Sequence, residues 1–221
     1  MLHKLRVWDL PTRLFHWSLV ATTIALVVSA KLGADAMQWH LRLGYVMLAL
    51  LAFRLVWGFV GGYWSRFASF VYSPTRLLRY VSGRGQSDDD VGHSPLGALS
   101  VFTLLALLLA QVGSGLMSDD EISFAGPLAR HVSGDWVNLA SWYHKDVGQY
   151  LLLAFIALHL CAITFYTLVR HRPLVRAMLR GDKQWPSQER SARDDAKSRT
   201  WATLVLALAA ALAWWVASLG E

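Results

Sequence analysis

One cysteine, Cys161, stands in a chain of 221 residues. A single thiol excludes a disulfide framework, a cysteine-bound zinc site and an iron–sulfur cluster, which all need several. No Cys-x-x-Cys-His stretch occurs, which excludes covalently attached haem. Charge is scarce as well: Asp, Glu, Lys and Arg make up 16% of the chain, against about 25% in an average soluble domain. There is no glycine-rich phosphate loop, no repeat of fixed period and no polar stretch long enough for an independent soluble domain.

Apolar residues fill the gap. They reach 55% and gather into five runs, at about 14–32, 41–60, 96–117, 147–169 and 201–219. Each is near the roughly 20 helical residues that cross a bilayer core, and helices are required because backbone polar groups find no water in lipid. The net charge of +6 would suggest nucleic acid for a soluble chain. Here the basic residues flank apolar runs, so a membrane surface is expected and a nucleic-acid partner is not.

Lysine and arginine placement predicts the orientation. Lys4, Arg6 and Arg13 precede the first run, Arg66, Arg76, Arg79 and Arg84 follow the second, and nine more lie in 170–199. The alternate side has Lys31, Arg42, Arg130 and Lys145, together with the acidic Asp119, Asp120 and Glu121. The N-terminus is therefore expected in the cytoplasm, and five spans put the C-terminus on the far side. A signal peptide ending near Val28-Ser29-Ala30 is the competing reading, but another span follows it rather than a secreted domain. Trp39, Trp57, Trp64, Trp136, Trp142, Trp214 and Trp215 fall near run ends, as interfacial anchors do.

Histidines carry the functional signal. His16 and His159 lie at the cytoplasmic level of the first and fourth runs, while His40 and His144 open the second and fourth from the other side. His144 and His159 are fifteen residues apart, a rise of roughly 22 Å and a net rotation of about 60° on an α-helix. One helix thus offers two imidazoles from similar faces at opposite depths. Ionisable groups inside a membrane are costly and face a functional interior, and imidazole is a common axial ligand of non-covalent haem. His40 with His144, and His16 with His159, would each clamp one iron. A lone histidine at a span end is more often an interfacial residue; four that pair by depth are harder to explain so. Arg54, on the His40 face but at the other depth, suits a haem propionate or snorkels to the interface, and the same choice holds for Arg13. His93 reads as helix-start structure, or as a quinone-pocket or proton-passing residue. His171 reads as topology charge, and His3 and His131 as solvent-exposed residues. Cys161 reads as a small packing residue, and Gly44, Gly113 and Gly115 as close-approach positions or haem edges. A haem-free transporter or structural protein using histidines for protons stays open.

The opening Val7-Trp8-Asp9-Leu10-Pro11-Thr12-Arg13-Leu14-Phe15-His16-Trp17 resembles the start of the bacterial cytochrome b561 family, which is related to the b-type cytochrome subunits of nickel–iron hydrogenases. Arg54-Leu55-Val56-Trp57-Gly58-Phe59 with Arg66-Phe67 resembles the end of its second span, and Gly92-His93-Ser94-Pro95-Leu96-Gly97-Ala98 the start of its third. The resemblance covers about 5–175. It implies an all-α integral membrane four-helix haem-binding bundle over 1–175, with two non-covalent haems b. His16 and His159 would bind the cytoplasmic-side haem, His40 and His144 the periplasmic-side one, with Arg54 and Arg13 as further haem-binding candidates. A charged linker (176–200) then leads to an additional C-terminal transmembrane helix (201–219), which short members lack. The implied function is electron transfer across a bacterial inner membrane between the quinone pool and a redox partner, a c-type cytochrome or an oxidoreductase. His93 and Arg13 are the quinone candidates. A membrane-anchoring cytochrome subunit of a hydrogenase or similar complex is the alternative, and oligomer formation stays open.

Overall fold

The computed structural model describes residues 3–33 and 35–220. In chain order these form β1 (His3–Arg6), α1 (Leu10–Leu32), α2 (Ala36–Val60), α3 (Pro74–Val81), α4 (Pro95–Met117) and α5 (Gly134–Trp142). A π-helical turn, Tyr143–Gly148, joins α5 to α6 (Gln149–Leu168); α7 (Leu174–Arg180), β2 (Asp182–Trp185) and α8 (Ala196–Ser218) follow. Among the described residues, five helical stretches are long and apolar enough to cross a membrane: α1, α2, α4, α5 through α6, and α8. The class is all-α, a multi-pass membrane protein with an added C-terminal helix, as composition implied.

Helix ends follow local chemistry. Ser73 accepts the Arg76 amide ahead of Pro74, and the Ser94 hydroxyl accepts the Gly97 amide ahead of Pro95. Both are N-caps followed by proline in the first turn, where no amide is needed. Gly181, at φ 87°, ends α7 in the left-handed region. The fourth span begins earlier than its apolar run. Asp135, Ser141, Lys145 and Asp146 interrupt hydropathy there, yet helix formation continues from Gly134 to Leu168, 35 residues. That is roughly 50 Å of helix, more than the ~30 Å hydrocarbon core. The π turn also offsets the helical phase reckoned from His144 to His159, because one added residue is worth about 100°.

The chain divides into two compact units. The first contains 3–14, 54–103 and 156–203. Here β1 and β2 pair antiparallel, Leu5 opposite Lys183 and Arg6 opposite Asp182. Leu5, Val7, Trp8, Val91 and Ala177 form a buried cluster against Trp64, Met178 and Trp185. Arg6 bridges Asp182 and Asp194, and Ala192 donates its amide to the Arg6 carbonyl. The expected linker thus holds the end of α7, β2 and the start of α8, with Asp182 and Asp194 both paired to Arg6 of β1. Burial pushes the Lys183 amine down to about 8, partly offset by Asp90, while the amine donates to the Asp90 and Val91 carbonyls.

Asp9 organises the same unit. Its carboxylate is fully buried and accepts the Thr12 amide (2.8 Å), the Gly62 amide (3.1 Å), the Ser65 hydroxyl (3.1 Å) and the Trp57 indole N–H (3.4 Å). One side chain caps α1 and fastens the turn after α2 to it. Trp57, expected as an interfacial anchor, is instead a core residue at 1% exposure, drawn in by that carboxylate. Trp39, Trp136, Trp142, Trp214 and Trp215 are exposed.

The second unit contains 15–53, 104–155 and 204–220. Phe15 and Phe53 meet across α1 and α2. Arg130 and His131 reach the Gly220 and Leu219 carbonyls, holding the end of α8 to the turn before α5.

Candidate functional site

In the second unit His40 of α2 and His144 of the π turn face each other. Their ring centres are 6.1 Å apart and their planes lie at 83°. Each ring has its Nδ1 engaged: His40 with the Leu26 carbonyl (3.0 Å) and His144 with the Gln111 carbonyl (2.8 Å). A carbonyl only accepts, so Nδ1 carries the proton in both and Nε2 keeps its lone pair. That tautomer is the metal-binding one, and such partners orient a ligand ring. The Ser29 and Ser114 hydroxyls lie 3.3 and 3.4 Å from the same two nitrogens.

A cavity of about 370 Å³ adjoins both rings, within the ~300–1,000 Å³ of cofactor sites. Leu26, Leu108, Val112 and Leu152 line it, with Gly44 and Gly115 among them. A Cβ on Gly115 would stand 2.7 Å from the His144 ring, so only glycine leaves that imidazole its place. Gly44 and Gly113 have nothing within 4 Å of where a Cβ would stand. Lys31, Asp119, Asp120 and Lys145 are further lining residues. Asp120 accepts the amides of Ile122, Ser123 and Phe124, which hold its carboxyl down at about 2. It shapes the loop while staying charged.

The haem that the resemblance implies fits these residues. A metal–imidazole bond of roughly 2 Å on each side puts opposed ring centres about 6 Å apart, as here. Two deprotonated Nε2 atoms, an apolar cavity and a missing Cβ beside the ring make a consistent donor set.

The other candidates lie elsewhere. His159, in the first unit, has its Nδ1 3.2 Å from the Ser100 hydroxyl. His16, in the second unit, meets Trp17 edge-on at 5.1 Å. Arg54 does not snorkel: at 4% exposure it donates to the Ser65 carbonyl (3.1 Å) and lies 4.6 Å over the Phe67 ring. Arg13 donates to the Leu179 carbonyl at 2.6 Å. His93 packs between the Trp8 and Phe70 rings, at 4.6 and 4.2 Å, and its carbonyl accepts the Tyr72 hydroxyl. His3, His131, His171 and Cys161 are exposed.

Sequence reasoning passed over Asp9, Ser29, Ser100, Gln111 and Ser114. Their only advance signal is a polar side chain within or beside an apolar run.

Similarity to known proteins agrees with this geometry. Residues 7–181 match the family model described as prokaryotic cytochrome b561. A "Probable Ni/Fe-hydrogenase B-type cytochrome subunit" of Bradyrhizobium diazoefficiens is 23% identical, covering 81% of this chain and 85% of that protein. A protein of the same description from Azotobacter chroococcum mcd 1 is 24% identical, covering 79% and 86%. No solved structure matches. Since the model spans most of the chain, from the Asp9 motif past both histidines of the fourth span, the chain belongs to the prokaryotic cytochrome b561 family.

Proposed function

We propose that this b-type membrane cytochrome carries electrons across a bacterial inner membrane through two non-covalent haems b, between the quinone pool and a redox partner protein. The observation that carries the reading is the opposed pair His40 and His144, 6.1 Å between ring centres beside a 370 Å³ cavity. A bound haem supplies a reversible one-electron iron couple. His40 of α2 and His144 of the π turn would hold its iron between them, and two imidazole ligands would favour outer-sphere electron transfer over substrate binding at the metal.

His16 and His159 are the second pair, on the strength of their matched depth in the sequence. Arg54 and Arg13 are the propionate candidates, and His93 with Arg13 marks the quinone site. The excess of lysine and arginine on the N-terminal side supports a cytoplasmic N-terminus and a periplasmic C-terminus. A second reading, a cytochrome subunit anchoring a hydrogenase-type oxidoreductase, is favoured by the description of both relatives.

The test is haem stoichiometry with site variants. The purified protein should carry two haems with a reduced b-type α-band, and His144→Ala and His159→Ala should each lose one. A protein without that band is a haem-free membrane protein, and two haems in both variants overturn the pairing. Stopped-flow reduction by quinols then separates a stand-alone quinone oxidoreductase from a subunit that co-purifies with a large catalytic partner.

A further inference from the structure

His144 sits in a π-helical turn, and one residue of α4 reaches it twice. The Gln111 main-chain carbonyl accepts the His144 Nδ1–H at 2.8 Å, and the Gln111 side-chain Nε2 donates to the His144 carbonyl at 3.0 Å. A π turn displaces the regular backbone pairing by one residue, so a carbonyl within it needs a donor from outside the helix. Gln111 is that donor. Its approach depends on Gly148 at the end of the turn, where a Cβ would lie 2.2 Å from Gln111 Oε1.

The arrangement has a cost. Gln111 Oε1 is buried and has no hydrogen-bond partner among the described residues, and a buried amide oxygen left so is unfavourable. A leucine of similar size would fill the position without it. What the amide provides in return is the bond from its other end to the His144 carbonyl.

We infer that Gln111 is the positioning residue of the His144 imidazole: its amide pins the π turn, and its carbonyl holds the ring by Nδ1, leaving Nε2 as the free nitrogen beside His40 and the cavity. Gly148 is the second half of the device, since it gives the amide room. The inference rests on the haem reading proposed above and goes beyond it by naming what holds one ligand in pose.

The experiment uses the full-length, haem-loaded protein in detergent. Gln111→Leu and the near-isosteric Gln111→Glu both remove the amide donor, and Gly148→Ala displaces it. Two readouts are taken: the low-spin ferric EPR signals, and the rate of haem transfer to apomyoglobin. Loss of such an outer partner costs a metal ligand set about 10–100-fold in affinity. One haem should therefore leave about 10–100-fold faster and its EPR signal should shift, while the other haem keeps both properties. Gly148→Ala should reproduce the pattern. Wild-type signals and transfer rates in Gln111→Glu and Gly148→Ala overturn the inference, and they decide it if Gln111→Leu does not accumulate. His144→Ala keeps the two ideas apart. If it retains both haems, the haem reading itself has failed; if it loses one while the Gln111 variants behave as wild type, only the role of Gln111 has.

Discussion

A single carboxylate near the start of the chain satisfies four donors, all on buried residues. Asp9→Ala would leave the Thr12 and Gly62 amides, the Ser65 hydroxyl and the Trp57 indole without that acceptor, and each buried group so stranded costs about 1–3 kcal/mol. A net loss of several kcal/mol, at about 2–4 °C per kcal/mol for this size, lowers the melting temperature by roughly 10 °C. Asp9→Asn, which keeps one acceptor oxygen, should lose about half as much. Tryptophan emission in detergent follows both, since Trp57 reports from the site. The histidines and Asp9 show what a sequence displays and what it hides. An imidazole in an apolar run stands out because burying it is costly. An aspartate before Leu-Pro-Thr reads as an ordinary helix cap, and nothing along the chain links it to Trp57, Gly62 and Ser65. Gln111 and Ser114 are hidden for the same reason: their partner His144 is about thirty residues away.

Elements were legible where hydropathy alone forms them and illegible where pairing does. The five apolar runs became helices because lipid allows the backbone little else. The β1–β2 ladder has four residues a side and no periodic signal, and what accompanies it is long-range: Arg6 meets Asp182 across it and Leu5 packs into a cluster with Val91 and Ala177. The amine of Lys183, on this ladder and held against the Asp90 and Val91 carbonyls, sits at about 8 against an ordinary 10.5. Between those values the unfolded chain binds more protons than the folded one, so stability rises with pH. The charge penalty is full below pH 8 and gone above 10.5. Melts at pH 8 and 10, followed through Trp8, Trp64 and Trp185, should show that rise, and Lys183→Met should flatten it. The end of α2 is governed by contact instead. A Cβ on Gly58 would lie 2.0 Å from the Phe67 ring, so Gly58→Ala should cost about 1–3 kcal/mol by overpacking. Because Phe67 also carries the Arg54 guanidinium, the ring cannot simply retreat. Gly58→Ala combined with Phe67→Leu should regain part of the lost melting temperature, which a double-mutant cycle measures.

At the scale of the molecule, α8 stands outside the family match, which ends at residue 181. It buries a small face, Ala202, Ala209 and Ala213, and exposes Trp201, Leu208, Trp214 and Trp215. Small residues of this kind let helices approach in lipid, and no histidine lies on α8. A chain truncated before Ala196 should therefore keep the haem content of the full protein by its absorption spectrum. It should lose co-purifying oxidoreductase if α8 is where a partner docks, and haem loss on truncation would instead make α8 part of the cofactor bundle. The Asp9 network also sets a schedule for making the protein. Its acceptor comes first, and the last of its donors, the Ser65 hydroxyl, follows 56 residues later. At about 5–20 residues per second of synthesis, the carboxylate waits roughly 3–10 s for its full set of partners. Until α2 and the turn after it follow, only the Thr12 amide, three residues on, is at hand, and water must serve the remaining lone pairs. The packing of the start of α1 against the turn after α2 is therefore completed by the later element, not the earlier one.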